Sequence, residues 1–116
     1  MQSYQDLIVW QKAIDLVVET YRISQKLPRD ERFGLTSQMR RAAVSIPANI
    51  AEGHGRHHRD DYRQFLSIAR GSLKELETHF VIAERLGFLT NADLRRARAL
   101  SDEVSRMLSA LHRKLR

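Results

Sequence analysis

The sequence predicts an all-α fold, an antiparallel up-and-down four-helix bundle, and three observations carry that reading. Apolar residues recur at helical spacing in four separate segments. Pro28, Gly53 with Gly55, and Gly87 punctuate the boundaries between them. The links are short, so each helix must turn back along its predecessor. The chain of 116 residues reads as a single domain over 1–116, long enough to bury roughly two-thirds of its unfolded surface.

The first helix is expected from about Ser3 to Leu27. Ser3 can cap it, Asp6 places negative charge in its first turn, and Pro28 stops it. Leu7, Trp10, Ile14, Val17, Val18 and Tyr21 form one apolar face, read here as the core face. Val9, Leu16 and Ile23 repeat every seven residues on nearly the opposite side. A helix in a monomeric bundle needs one apolar stripe, so this second stripe is expected to meet another subunit. In the charged connection that follows, Phe33 is the expected anchor.

The second helix begins near Thr36, whose hydroxyl can accept from a first-turn N–H. It carries no charge from Ala42 through Ala51, although 29% of the residues are charged. Met39, Ala42, Ala43, Ile46, Ile50 and Gly53 point one way; Val44, Pro47, Ala48 and Ala51 lie on a second, mostly small face. Pro47 removes a backbone hydrogen bond and should kink the helix, and the small residues there either permit close approach by another helix or simply mark a crowded core helix. Asn49 is expected to bond the carbonyl that Pro47 frees, or a neighbouring helix, and to serve the fold together with Glu52. Glycines in EGHGRHHRDD permit the left-handed turn that ends a helix.

The third helix runs from about Arg59 to Leu86, with Tyr62, Phe65, Leu66, Ala69, Leu73, Leu76, Phe80 and Ala83 on one stripe. Gly71 in mid-helix costs about 1 kcal/mol against alanine, which suggests a close backbone contact. Gly87 ends this helix, and Phe88-Leu89 form a hydrophobic corner. The fourth helix starts at Thr90, with Asp93 completing a capping-box pattern. Leu94, Ala97, Leu100, Val104, Leu108, Leu111 and Leu115 face inward. Arg95, Arg106 and Arg113 line up almost opposite, flanked by Arg98, Lys114 and Arg116.

Composition narrows the function classes. There is no cysteine, which excludes disulfides and thiolate metal sites. No apolar run approaches the ~20 residues that span a bilayer, and MQSYQDLIVW lacks the pattern of a secretory signal; the expectation is a cytoplasmic protein. Net charge is +6 and is unevenly placed. Residues 1–27 and 58–89 are neutral, whereas residues 90–116 hold seven Lys/Arg against three Asp/Glu. Such concentration suits an acidic partner such as RNA or DNA, or simply a solvated helix face. No aromatic residue follows Phe88, so the fourth helix has no platform for stacking bases.

No catalytic set emerges. His54, His57, His58, Asp60 and Asp61 are metal-ligand types strung across a glycine-containing turn without a second spaced pair, so no metal or other cofactor is expected. Arg106 and His112 suggest a metal-independent RNase, but six residues apart they point about 120° from each other on a straight helix, where acid–base chemistry needs convergence on one phosphate.

The stretches LTSQMRRAAVSIPANIAEGHGR and DYRQFLSIARGSLKELETHFVIAERLGFL, together with the opening DLIVWQKAIDLV, closely resemble the four-helix-bundle family of the 23S rRNA intervening sequence proteins. The resemblance covers residues 4–90; the fourth helix matches in character only. It implies an antiparallel four-helix bundle, commonly a homopentamer, with no assigned activity for most members. A related branch, the accessory variability determinants of diversity-generating retroelements, is a basic pentamer that binds nucleic acid and a reverse transcriptase. By that resemblance Arg40, Arg41 and Arg56 are positions able to meet phosphate, and the expected partners are the chain itself, RNA or DNA, and a reverse transcriptase or other nucleic-acid enzyme. The leading expectation is a non-enzymatic, self-associating bundle with a basic nucleic-acid surface. A structural or protein-binding oligomer is the alternative, and an RNase the third.

Overall fold

The computed structural model describes residues 3–116. Four helices follow one another: α1 Ile8–Ser24, α2 Leu35–His54, α3 Arg59–Arg85 and α4 Asn91–Lys114. No strand occurs among the described residues. α1 packs on α2 and α4, and α3 packs on α2 and α4, which arranges the helices in chain order around a bundle of 44 × 24 × 20 Å. Three ion pairs fix the antiparallel sense of the closing seam: Lys12–Glu103 at 3.1 Å, Glu19–Arg96 at 3.9 Å and Lys26–Asp93 at 2.6 Å. The α1 numbers rise by seven while the α4 numbers fall. Across α3 and α4, Glu77–Ser101 and Glu84–Arg98 run the same way.

The ends of the helices are set by local chemistry. Ser3 and Asp6 do form a capping box, but around a short 3-10 turn, Tyr4–Asp6, so α1 proper starts at Ile8. Thr36 is not the cap of α2. Gly34 occupies that position, the Glu31 carboxylate accepts from the Leu35 N–H at 3.1 Å, and Thr36 is buried within the first turn. Gly55 ends α2 at φ −79, not in a left-handed conformation. That conformation belongs to Gly87 (φ +78), where the Phe88 N–H reaches the Ala83 carbonyl at 2.9 Å and the Gly87 N–H reaches that of Glu84 at 3.0 Å, closing a Schellman turn. Thr90 and Asp93 make the full capping box that opens α4.

The core faces of α2, α3 and α4 are those expected: Met39, Ile46, Ile50, Leu66, Leu73, Phe80, Leu94, Val104 and Leu108 are all fully enclosed. α1 is reversed. Its core residues are Val9, Ala13, Leu16, Thr20, Ile23 and Leu27, whereas Val18 and Tyr21 are exposed and Leu7, Trp10, Ile14 and Val17 only half-buried. These positions alternate steps of four and three, the spacing of a bundle seam, with Glu19 and Ser24 buried beside them. Ala13 and Thr20 fill the gaps between the three large residues, and the Thr20 hydroxyl donates to the Leu16 carbonyl at 2.7 Å, so its polarity is met inside the helix.

Further expectations fail at single residues. Phe33 anchors nothing and is 86% exposed. A Cβ on Gly71 would meet nothing within 4 Å, so no close contact explains that glycine; the close contact is at Gly53, against Phe65 and Tyr62 of α3. Asn49 donates to the Ser45 carbonyl and hydroxyl at 2.8 and 2.9 Å, and not to the carbonyl that Pro47 frees. Ser45 in turn bonds Ser72 of α3 at 2.8 Å, so this small polar chain ties α2 to α3.

Candidate nucleic-acid interface

Much of the expected subunit interface lies in the interior. Val9, Leu16 and Ile23 belong to the core and Pro47 is buried within the chain, so none of the four can meet a second subunit. Val44 and Ala48 are exposed and Ala51 half-buried. The apolar surface that α1 presents beside them is the stripe expected to face inward, Val18 and Tyr21 above all.

The nine expected phosphate-binding residues separate into tethered and free groups. Arg40 is tethered: its Nε donates to the Ser24 hydroxyl at 2.8 Å, and its guanidinium lies 4.7 Å over the Tyr21 ring. Arg56 pairs with Glu52 at 2.8 Å and covers Phe65. Arg98 bonds Glu84 at 2.9 Å and braces α4 against α3, and its hydrogen bond holds the Glu84 carboxyl below the ordinary carboxylate range. Arg41, Arg95, Arg106, Arg113 and Lys114 are exposed and make no hydrogen bond or ion pair with another side chain among the described residues. Arg116 offers its carbonyl to Arg59 of α3 at 3.3 Å.

The structure brings together a denser group at the end of the bundle where α3 begins and α4 finishes. His112 faces α3, with Nε2 3.3 Å from the Ser67 hydroxyl. Burial lowers its pKa from the ordinary histidine value, and the positive charges of Arg63, Arg70 and Arg116 push it the same way. Both effects favour the neutral imidazole. Arg59, Arg63 and Arg70 escaped the sequence reading because residues 58–89 hold five cations and five anions and average to zero. The spacing of four and seven between these arginines was the available signal. The carboxylates of α3 act elsewhere: Glu77 accepts from Ser101 at 2.6 Å and Glu84 from Arg98. Near the cluster remain Asp60, 3.7 Å from Arg63, and exposed Asp61. On α4, exposed Asp102 falls between Arg95 and Arg106 and interrupts the expected arginine stripe, so the basic surface is strongest towards Arg106, Arg113 and Arg116.

His54 packs edge-on against Tyr62, ring centroids 5.9 Å apart, and among the described residues no three potential metal ligands gather. His112 faces Ser67 while Arg106 is exposed without a polar partner among the described residues, so the two do not converge on one point. Among the described residues no helix is long and apolar enough to cross a membrane.

A family model for the 23S rRNA-intervening sequence protein matches residues 5–110. The chain belongs to that family. A solved structure from Bacteroides thetaiotaomicron, a protein of unknown function from the S23 ribosomal protein family, superposes with a TM-score of 0.83 at 24% identity, covering 90% of this chain and 98% of its own. That likeness concerns the fold. No curated protein matches the chain. The family's bundle architecture thus agrees with the helices described above, and the match extends through most of α4, where the sequence resemblance was one of character only.

Proposed function

We propose that this family member is a non-enzymatic RNA- or DNA-binding bundle that holds phosphates along its α3–α4 basic end. The observation that carries this reading is the cation-rich seam where α3 begins and α4 ends: Arg59 reaches the Arg116 carbonyl and His112 the Ser67 hydroxyl, each at 3.3 Å, and Arg70, Arg106, Arg113 and Lys114 are exposed on the same two helices. Arginine neutralises phosphate and forks two hydrogen bonds to it, and Arg70, Arg106 and Arg113, which pair with no carboxylate among the described residues, shed only water when they do so. Sequence-independent binding of this kind releases counterions and weakens steeply with salt. The decisive experiment is titration of single- and double-stranded oligonucleotides over a range of salt, comparing the parent with an Arg70→Gln, Arg106→Gln, Arg113→Gln triple variant. These three residues make no ion pair among the described residues, so helicity should persist. Affinity should fall, and the slope of log affinity against log salt should flatten by about 0.7–0.9 for each phosphate no longer neutralised. Absence of binding by the parent at low salt, or identical slopes for both proteins, would refute the reading.

A second reading, self-association, rests on the exposed apolar surface of α1 and α2. Val18 is 64% and Val44 43% exposed, and Ala48 beside them is exposed as well. The homopentamer that the sequence resemblance implies would cover this face and multiply the basic ends, and a nucleic-acid enzyme such as a reverse transcriptase would be a partner of that assembly.

A further inference from the structure

A groove of about 630 Å³ opens between the last turns of α1 and the first half of α2, far along the chain from the basic end. Tyr21, Arg32, Phe33, Arg40, Arg41 and Val44 line it. Its volume lies within the range of about 300–1,000 Å³ found for small-ligand sites. Its chemistry is distinctive in three respects. Two guanidinium planes already cover aromatic rings, Arg40 on Tyr21 at 4.7 Å and Arg32 on Phe33 at 4.9 Å. Phe33 is 86% exposed, so one ring is presented to solvent at the cost of an unburied aromatic. No carboxylate lines the groove, while Thr36 and Ser37 add hydroxyls. Asp30 and Glu31 precede Arg32 in sequence, but neither lines the groove, and Glu31 is engaged by the Leu35 N–H at 3.1 Å. Arg32 and Arg40 also line an adjoining cavity of about 180 Å³ with Arg29, so the positive track continues around the end of α1.

We infer that this groove seats unpaired nucleotides of a single strand, with a base stacked on Phe33 and flanking phosphates on Arg41 and Arg32, while Arg40, held on Ser24 and Tyr21, forms the groove wall. Exposed aromatics interleaved with arginines bind single strands because every base has a π-face and every link a negative charge. A duplex keeps its bases stacked internally and cannot use the rings. With three arginines and no carboxylate among its lining residues, the groove complements a polyanion. The inference rests on the nucleic-acid reading above and adds a strand preference that the phosphate-binding end alone would not produce.

The test uses the full chain with labelled oligouridine and, separately, a duplex of matched length, read by fluorescence anisotropy. Phe33→Ala should weaken oligouridine binding by about five- to a hundredfold, the worth of one stacked base, and leave duplex binding unchanged. Phe33→Trp should restore it, and Phe33→Leu, which keeps apolar character without a π-face, should not. Arg41→Gln should weaken the single strand more than the duplex. Because Phe33 and Arg41 are exposed, the fold should tolerate every variant, with circular dichroism as the check. Equal affinity of Phe33→Ala and parent for oligouridine, with duplex binding intact, overturns this inference and leaves the basic end standing. Loss of all binding in the parent removes both. Rescue by Phe33→Leu, or a change in sedimentation without a change in affinity, would assign the groove to a protein surface and overturn it as well.

Discussion

A Cβ added at Gly53 would lie 2.8 Å from the Phe65 Cβ and 3.0 Å from the Tyr62 ring, whereas one added at Gly71 would meet nothing within 4 Å. The same substitution should therefore have opposite signs at the two sites. Alanine gains about 1 kcal/mol in helix propensity at either, but at Gly53 overpacking costs roughly 1–3 kcal/mol and prevails. Gly53→Ala should lower the denaturant midpoint and Gly71→Ala raise it, both at unchanged m-value. The sequence shows two glycines in helices and cannot rank them, because the distinction lies in which neighbouring helix approaches. His79 makes a second residue-level case. It is buried, its Nδ1 has no hydrogen-bond partner among the described residues, and Glu75 is 3.8 Å from its Nε2. Burial lowers its pKa, with Glu75 opposing weakly. A histidine held below its ordinary value favours the neutral form in the fold, so its contribution to stability is complete above about pH 6.5 and is lost as pH falls through the depressed folded value. His112 adds a change of the same sign. Thermal melts from about pH 7.5 to 5, the range that spans histidine titration, should show falling stability, and His79→Gln should flatten part of that decline; an equally steep decline in the variant would exclude His79 as its source.

α1 shows which parts of an element can be read from residue types and which cannot. The buried positions Val9, Ala13, Leu16, Thr20, Ile23 and Leu27 have seam spacing, but two of them are a small residue and a hydroxyl. The competing stripe contains tryptophan, tyrosine, valines and isoleucine, so a count of bulk selects the wrong side. The other three helices put bulk and spacing on the same face, and for them the core was legible from sequence. Substitutions test the assignment directly. Leu16→Ala should cost about 2–5 kcal/mol, as large-to-small changes in a closed core do, while Val18→Ala should stay within about 0.5 kcal/mol. Similar costs for both would mean that the core face of α1 has been misplaced. The start of α4 was equally legible, since Thr90 and Asp93 carry their capping logic within one helical turn. The sequence could not show that Asp93 also receives Lys26, two residues past the end of α1, at 2.6 Å. That hydrogen bond, followed by the Thr90 N–H, holds the Asp93 pKa down to about 2. Its stabilisation is present above the unfolded carboxylate value and is lost as pH falls towards the folded value of about 2. Lys26→Met should accordingly lower the melting temperature at neutral pH, and the difference should close as the solution is acidified to about pH 2.

Charge and apolar surface are distributed over the whole molecule in a way that couples assembly to binding. Many acidic residues are committed to helix starts or cross-helix braces, so the excess cations remain available at the two ends, around His112 and around Arg32 and Arg41. The exposed apolar strip, Val18 on α1 and Ala48 on α2, occupies the flank between them, and Val44 marks where it meets the groove. Segment averages of charge revealed the α4 half of the first basic end but concealed its α3 half, and the second needs the link between α1 and α2 to fold back before its aromatic and arginine residues meet; neither complete cluster is a local property of the sequence. If subunits associate through the apolar flank, every assembly repeats both basic surfaces, and simultaneous engagement of one strand would raise avidity by about 10²–10⁴ with no new chemistry. A Val18→Glu, Ala48→Glu variant should then be monomeric by light scattering at micromolar concentration, with helical content preserved because both positions are exposed. Its affinity for a long single strand should drop far more than its affinity for a short one, since a short strand engages one subunit in either case. A parent that is itself monomeric would remove the assembly reading while leaving the arginine contacts to be judged by their salt slope. If the variant stays oligomeric, the contact lies on another face of the bundle.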